Sequence, residues 1–220
     1  MSGTLEIPEL HVEGGDDIHT IIHLLRRHGV SMDDGVRPIK IVTAKNVDHL
    51  LENVPRAIKA ATDRPVGFVL DIDVPIKDRW AQVRNRLREA QVDAPDQCPP
   101  SGFIGRRRGY PSDVGVWLMP DCSTDGGKLE DLLKTLMPAG DKLWPHARAG
   151  TEKAKKIGAE FSDADRDKAD IHCWLAWQED PGLPYGTAIR AKFLGHDSPQ
   201  ALAFLRWLHR LFGIAQLASV

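Results

Sequence analysis

Short apolar runs of strand length alternate along the 220-residue chain with stretches in which apolar residues recur every three or four positions. Leu10-His11-Val12 predicts a first strand and Glu13-Gly14-Gly15-Asp16 a tight turn. Asp17 to His28 follows as a helix, with Ile18, Ile21, Ile22, Leu24 and Leu25 on its apolar side and Gly29 ending it. Ile39 to Thr43 reads as a second strand. Asn46 then caps a helical pattern through Val47, Leu50, Leu51, Val54 and Ile58 to Ala61, with Pro55 as a point of bending. Val66 to Leu70 is an unbroken apolar run, the pattern of a strand buried on both faces. Asp78 to Ala90 predicts an amphipathic helix with Trp80, Val83 and Leu87 inward and Arg79, Arg84, Arg86 and Arg88 around the rest.

From Ala94 to Pro111 the chain turns rich in Pro, Gly, Asp and Arg, which predicts a loop with a short strand at Gly102 to Gly105. Val114 to Met119 is a fourth buried strand, Pro120 to Gly127 a polar loop and Leu129 to Met137 a helix. The remainder is helical in pattern: a charged segment near Thr151 to Gly158, then Asp165 to Trp177, then Pro199 to Phe212. Strands alternating with helices predict an α/β fold, a parallel-rich central sheet flanked by helices with a helical C-terminal extension. Residues 1–140 form the expected principal domain. Residues 141–220 pack on the same core, as an extension or as part of one continuous domain.

Composition adds bounds rather than a function. Apolar residues make up 42% and charged residues 27%, the balance of an ordinary globular chain. A net charge of −2 provides no global attraction for nucleic acid, although an acidic metal centre can offset basic patches in the same total. The start, Met-Ser-Gly-Thr-Leu-Glu-Ile-Pro-Glu-Leu, has no signal-peptide pattern, and no apolar run is of bilayer-spanning length, so a cytoplasmic protein without membrane contact is expected. Cys98, Cys122 and Cys173 form no CxxC pair, which fits a reducing compartment and free thiols.

The candidate chemistry is acidic. Asp71 and Asp73 follow the apolar strand Val66 to Leu70, where two unpaired charges are costly unless a cation neutralises them. Glu13 with Asp16 and Asp17 follows the first strand, and Asp121 or Asp125 with Glu130 and Asp131 follows the fourth. Oxygen-only donors suit Mg2+, Mn2+ or Ca2+ rather than zinc. The plainer alternatives are helix N-capping for Asp16 or Asp17, first-turn acids for Glu130 and Asp131, and a solvated strand-end turn for Asp71 and Asp73. Arg106-Arg107-Arg108, between Gly105 and Gly109, is either a solvated loop or a clamp for a nucleic-acid backbone. His19 and His23 have zinc-pair spacing but no HExxH glutamate, and read as helix-surface histidines. Trp174, Trp177 and Trp207 fall on apolar helix faces and read as core. Ser123 to Leu129 lacks the spacing of a nucleotide-binding phosphate loop, which argues against an ATPase in this chain.

A Glu after the first strand and a strand-borne DxD downstream resemble the Toprim fold of topoisomerases, primases and nucleases, over about residues 8 to 140. Glu13-Gly14-Gly15-Asp16-Asp17, Asp71-Ile72-Asp73 and Gly126-Gly127-Lys128-Leu129-Glu130 look most like the branch of overcoming-lysogenization-defect (OLD) nucleases and small stand-alone bacterial relatives. Lys128 stands where that branch usually has a serine. The resemblance implies a nuclease holding two Mg2+ or Mn2+ ions, one on Glu13, Asp17 and Asp71 and the other on Asp71, Asp73 and Glu130. It implies Lys192, or else Lys128, as the lysine that offsets charge in the transition state. It also implies nucleic acid, DNA or RNA, as substrate and a separate ABC-type ATPase as partner, in phage defence or DNA repair; a homo-oligomer stays open. Two alternatives remain: a haloacid-dehalogenase-like phosphatase with Asp71 as nucleophile and Asp73 as acid/base, and a catalytically silent Toprim-like binding module.

Overall fold

A computed structural model describes residues 7–214 of the chain; the N-terminal segment read as lacking a signal peptide lies mostly outside them. Five strands form one sheet in the order β2-β1-β3-β5-β4: β1 (Glu9–Val12), β2 (Lys40–Thr43), β3 (Val66–Asp71), β4 (Phe103–Arg106) and β5 (Asp113–Met119). All neighbours are parallel except β4 and β5, which run antiparallel, so the α/β, parallel-rich architecture holds. β3 and β5 are central, and the unbroken apolar runs that predicted them are buried on both faces, as a covered parallel sheet requires.

Eight α-helices accompany the sheet among the described residues. They are α1 (Gly15–Arg27), α2 (Val47–Ala60), α3 (Ile76–Glu89), α4 (Leu129–Thr135), α5 (Leu143–Lys156), α6 (Arg166–Leu175), α7 (Tyr185–Arg190) and α8 (Pro199–Phe212). Two have clear local boundaries. Asn46 accepts a hydrogen bond from His49 N at 2.9 Å to open α2, Ser198 does the same for Ala201 N to open α8, and Gly213 ends α8 in the left-handed conformation. Pro55 sits inside α2 without breaking it. Among the described residues no helix is long and apolar enough to cross a membrane.

The two faces of the sheet are filled differently. On one, His11 stacks on Phe68 and meets Asn53 of α2, while Trp80 of α3 packs against Phe103. On the other, Gly67 and Gly115 lie side by side in register and leave room for Leu211 of α8, which a β-carbon on Gly115 would meet at 2.4 Å. Trp207 of α8 fills the same face, 5.8 Å from Trp117 between ring centroids, and its indole N–H donates to Phe103 O. The expected apolar faces of the C-terminal helices are therefore core at Trp174 and Trp207, both fully buried. Trp177 is not: it is 41% exposed and leans on His146, because it lies just past the end of α6. The six-residue helix α7, with no sequence expectation of its own, packs along α1. There His23, read as a surface histidine, is buried beside Gly186, while His19 stays exposed.

Candidate metal centre

The chain leaves β1 toward β2 on one side and leaves β3 toward β5 on the other, so a crevice opens between the carboxyl ends of β1 and β3. That switch point is where open α/β sheets place their ligands. Glu13 follows β1 and Asp71 ends β3, and the sheet register brings them together: Asp71 N donates to Glu13 Oε1 at 2.8 Å. One oxygen each from Glu13, Asp71 and Asp73 lies within 4.8 Å of the others.

Asp73 is held by its backbone. Its φ is +52°, a left-handed conformation for a non-glycine residue, and Ile72 N and Asp73 N both donate to Gly127 O. Gly127 itself has a φ of +113°, and a β-carbon there would meet Pro120 at 2.7 Å, so only glycine lets the 120–127 loop approach this corner. Arg79 closes it from behind. Expected on the polar side of its helix, Arg79 is 5% exposed, donates from Nε to Ile72 O at 3.1 Å and lies 3.8 Å from Asp73 Oδ2.

Asp17 and Glu130 flank the triad and are both buried. Asp17 Oδ2 accepts from Gly14 N at 2.9 Å, so it caps α1 while also lining the cleft. Glu130 is placed by the start of α4, where Leu129 N donates to Asp71 Oδ1 at 3.0 Å. The other acids of the third cluster point elsewhere. Asp121 is tied up by the Ser123 and Thr124 amides and hydroxyls, Asp125 caps α3 through Ile76 N, and Asp131 accepts from Lys128 N and pairs with Lys134.

Crowding raises the proton affinity of the cleft. Burial, then repulsion from Asp17, Glu13, Asp73 and Glu130, pushes Asp71 up to about 9. Burial likewise lifts Glu13 to about 7, against the Asp71 amide and Arg79 and with Asp17 and Asp73, and lifts Asp17 to about 6, against its Gly14 bond and with Glu130 and Asp16. Desolvation plus like charge is the pattern of carboxylates that lack a neutralising partner.

The sequence expectation divided the ligands as Glu13, Asp17, Asp71 and Asp71, Asp73, Glu130. In the structure the convergent trio is Glu13, Asp71 and Asp73, while Asp17 and Glu130 line the same cleft as Glu13 and Asp71. Lys192 is exposed past the end of α7 and is not among the residues lining the cleft. Lys128 is turned away as well, donating to Ala164 O. The cation that does line the cleft is Lys45, beside Asn46. Its φ is +79°, and its amide meets Thr43 Oγ1, whose hydroxyl donates to Glu13 O. A lysine after a strand end, next to a helix cap, was the available signal.

The three consecutive arginines lie at the wrong end of the sheet for this cleft. Arg106 pairs with Asp113 at the start of β5, whereas Asp71 pairs with Met119 at its end, roughly 20 Å along the strand. Each is engaged within the chain: Arg106 with Asp113, Arg108 with Asp93, and Arg107 over the Tyr110 ring at 3.8 Å.

A family model described as "Protein of unknown function (DUF3226)" matches residues 8–213. No curated protein and no solved structure matches.

Proposed function

The chain belongs to the DUF3226 family, and from its acidic cleft we propose that it is a metal-dependent nuclease of Toprim type, using Mg2+ or Mn2+ to hydrolyse phosphodiester bonds. The observation that carries this reading is the convergence of Glu13, Asp71 and Asp73 at the β1/β3 switch point. Their oxygens form a hard, anionic donor set of the kind that Mg2+ or Mn2+ takes, and the raised proton affinities mark negative charge that a cation would relieve. Asp17 and Glu130, which line the cleft with Glu13 and Asp71, would supply donors for a second ion. Bound there, such cations would supply Lewis-acid activation of a water and charge stabilisation at the leaving oxygen. Arg79 holds the Asp71 to Asp73 corner in place, and Asp17 keeps the first turn of α1 against the cleft. Lys45, at the cleft wall, is the residue positioned to meet a substrate phosphate.

The test is cleavage of plasmid DNA and of RNA in Mg2+ or Mn2+ by wild type and Glu13→Ala, with a small phosphate monoester as a parallel substrate. Metal-dependent cleavage by wild type, at background in Glu13→Ala, is expected. Equal activity in the two proteins would remove the assigned centre, and hydrolysis of the monoester alone would favour the phosphatase reading. In the same assay Lys45→Ala is expected to lower the rate on the order of tenfold to a hundredfold with Mn2+ binding retained, whereas Lys192→Ala leaves it unchanged. The reverse ranking would return the charge-offsetting role to Lys192.

A further inference from the structure

The C-terminal helices bring one buried side chain up to the acidic cleft. Tyr185, the first residue of α7, is 1% exposed, and its ring is stacked on His172 of α6 with centroids 5.0 Å apart. Its hydroxyl faces Glu130, yet it makes no hydrogen bond of ordinary geometry. A phenol is protonated at neutral pH, so this hydroxyl is available as a donor. Thr20 Oγ1 and His23 Nδ1, on the α1 side of the same seam, are also buried without partners.

A buried hydroxyl without a partner is destabilising, a cost that phenylalanine would avoid while filling the same space. The position of the ring is not slack. Gly186 rides directly on α1, where a β-carbon would lie 2.4 Å from His19 O, so the start of α7 is fixed against the helix that carries Asp17. Metal-ligating carboxylates are in general held by a hydrogen bond from the surrounding protein.

Resting on the metal reading of the cleft, we propose that Tyr185 is a positioning residue for Glu130, its phenol holding that carboxylate toward Asp17 and Asp71 when a divalent cation is bound. By this arrangement α7 belongs to the centre although it stands more than fifty residues beyond Glu130 in the chain.

Tyr185→Phe separates this role from packing, read by thermal unfolding of the metal-free protein and by calorimetric Mn2+ titration. The melting temperature without metal is expected to stay level or rise, while the dissociation constant for one Mn2+ rises on the order of ten- to a hundredfold. In a Glu130→Gln background the same substitution should have no further effect on Mn2+ binding, because it acts through that carboxylate. Equal Mn2+ affinity in wild type and Tyr185→Phe would overturn the role, as would an equal loss in both backgrounds or a lower metal-free melting temperature with Mn2+ binding intact. Failure of the wild type to bind Mn2+ would instead remove the metal reading, and this role with it.

Discussion

Asp71→Asn is expected to make the metal-free protein more stable at pH 8 while abolishing Mn2+ binding and cleavage. Asp71 is pushed up to about 9 in the fold by burial and by four neighbouring acids, against an ordinary value of 3.8 in the unfolded chain. Between those limits the folded state keeps a proton that the unfolded chain gives up. Its stability therefore falls as pH rises, and the raised Glu13 and Asp17 act in the same direction. Asparagine removes the charge but keeps the oxygen that accepts from Leu129 N. Relief of about 2 kcal/mol of this strain would raise the melting temperature by about 4–8 °C at pH 8 for a chain of this size. Near pH 4, where the unfolded chain also begins to hold the proton, wild type and variant should melt close together. Mn2+ should reverse the wild-type trend, stabilising most at high pH because it competes with those protons. A variant less stable than wild type at pH 8 would mean that Asp71 is held by bonds stronger than the repulsion around it.

The second large effect is expected far from the cleft. Trp207 is fully buried between Trp117, Phe204 and the backbone of Gly102 and Gly115, and its N–H satisfies Phe103 O. Trp207→Ala opens a cavity that glycines cannot collapse into and leaves that carbonyl unpaired, a loss of about 3–5 kcal/mol. For a chain of this size that corresponds to a fall in melting temperature of about 6–20 °C. Trp207→Phe keeps most of the volume and loses the hydrogen bond, so its fall should be a fraction of this. Equal falls for the two would place the stabilisation in the N–H rather than in the packing.

What the sequence disclosed follows the range of the interactions involved. β3 and β5 were legible because burial on both faces leaves an unbroken apolar run, and α2 because Asn46 caps it locally. The same logic located Glu13, Asp71 and Asp73, whose places follow from strand ends. Arg79 was misplaced because helical periodicity sets only its direction; its burial comes from Ile72 O and Asp73, which reach it through the turn after β3. That Lys45 lines the cleft and Lys192 does not was hidden for a related reason. Which lysine faces the cleft depends on how β2 sits beside β1, a register that no local pattern encodes. α7 is a single short helix, too brief to show a period, and its partner is α1 rather than a sequence neighbour. The grouping of Glu130 with Asp17 rests likewise on the 120–127 loop folding back over Ile72 and Asp73.

The paired glycines on β3 and β5 bear on how this protein can be divided. Because Gly67 and Gly115 contribute no side chains, the sheet has nothing of its own to cover that part of the face, and Leu211 and Trp207 serve as its missing substituents. A fragment ending near residue 140 would keep every carboxylate of the cleft yet present bare backbone and Trp117 to water, a surface suited to sticking to its own copies. The minimal folding unit is therefore set by the last helix rather than by the last carboxylate of the cleft, and a fusion partner is better joined beyond α8 than inserted before α5.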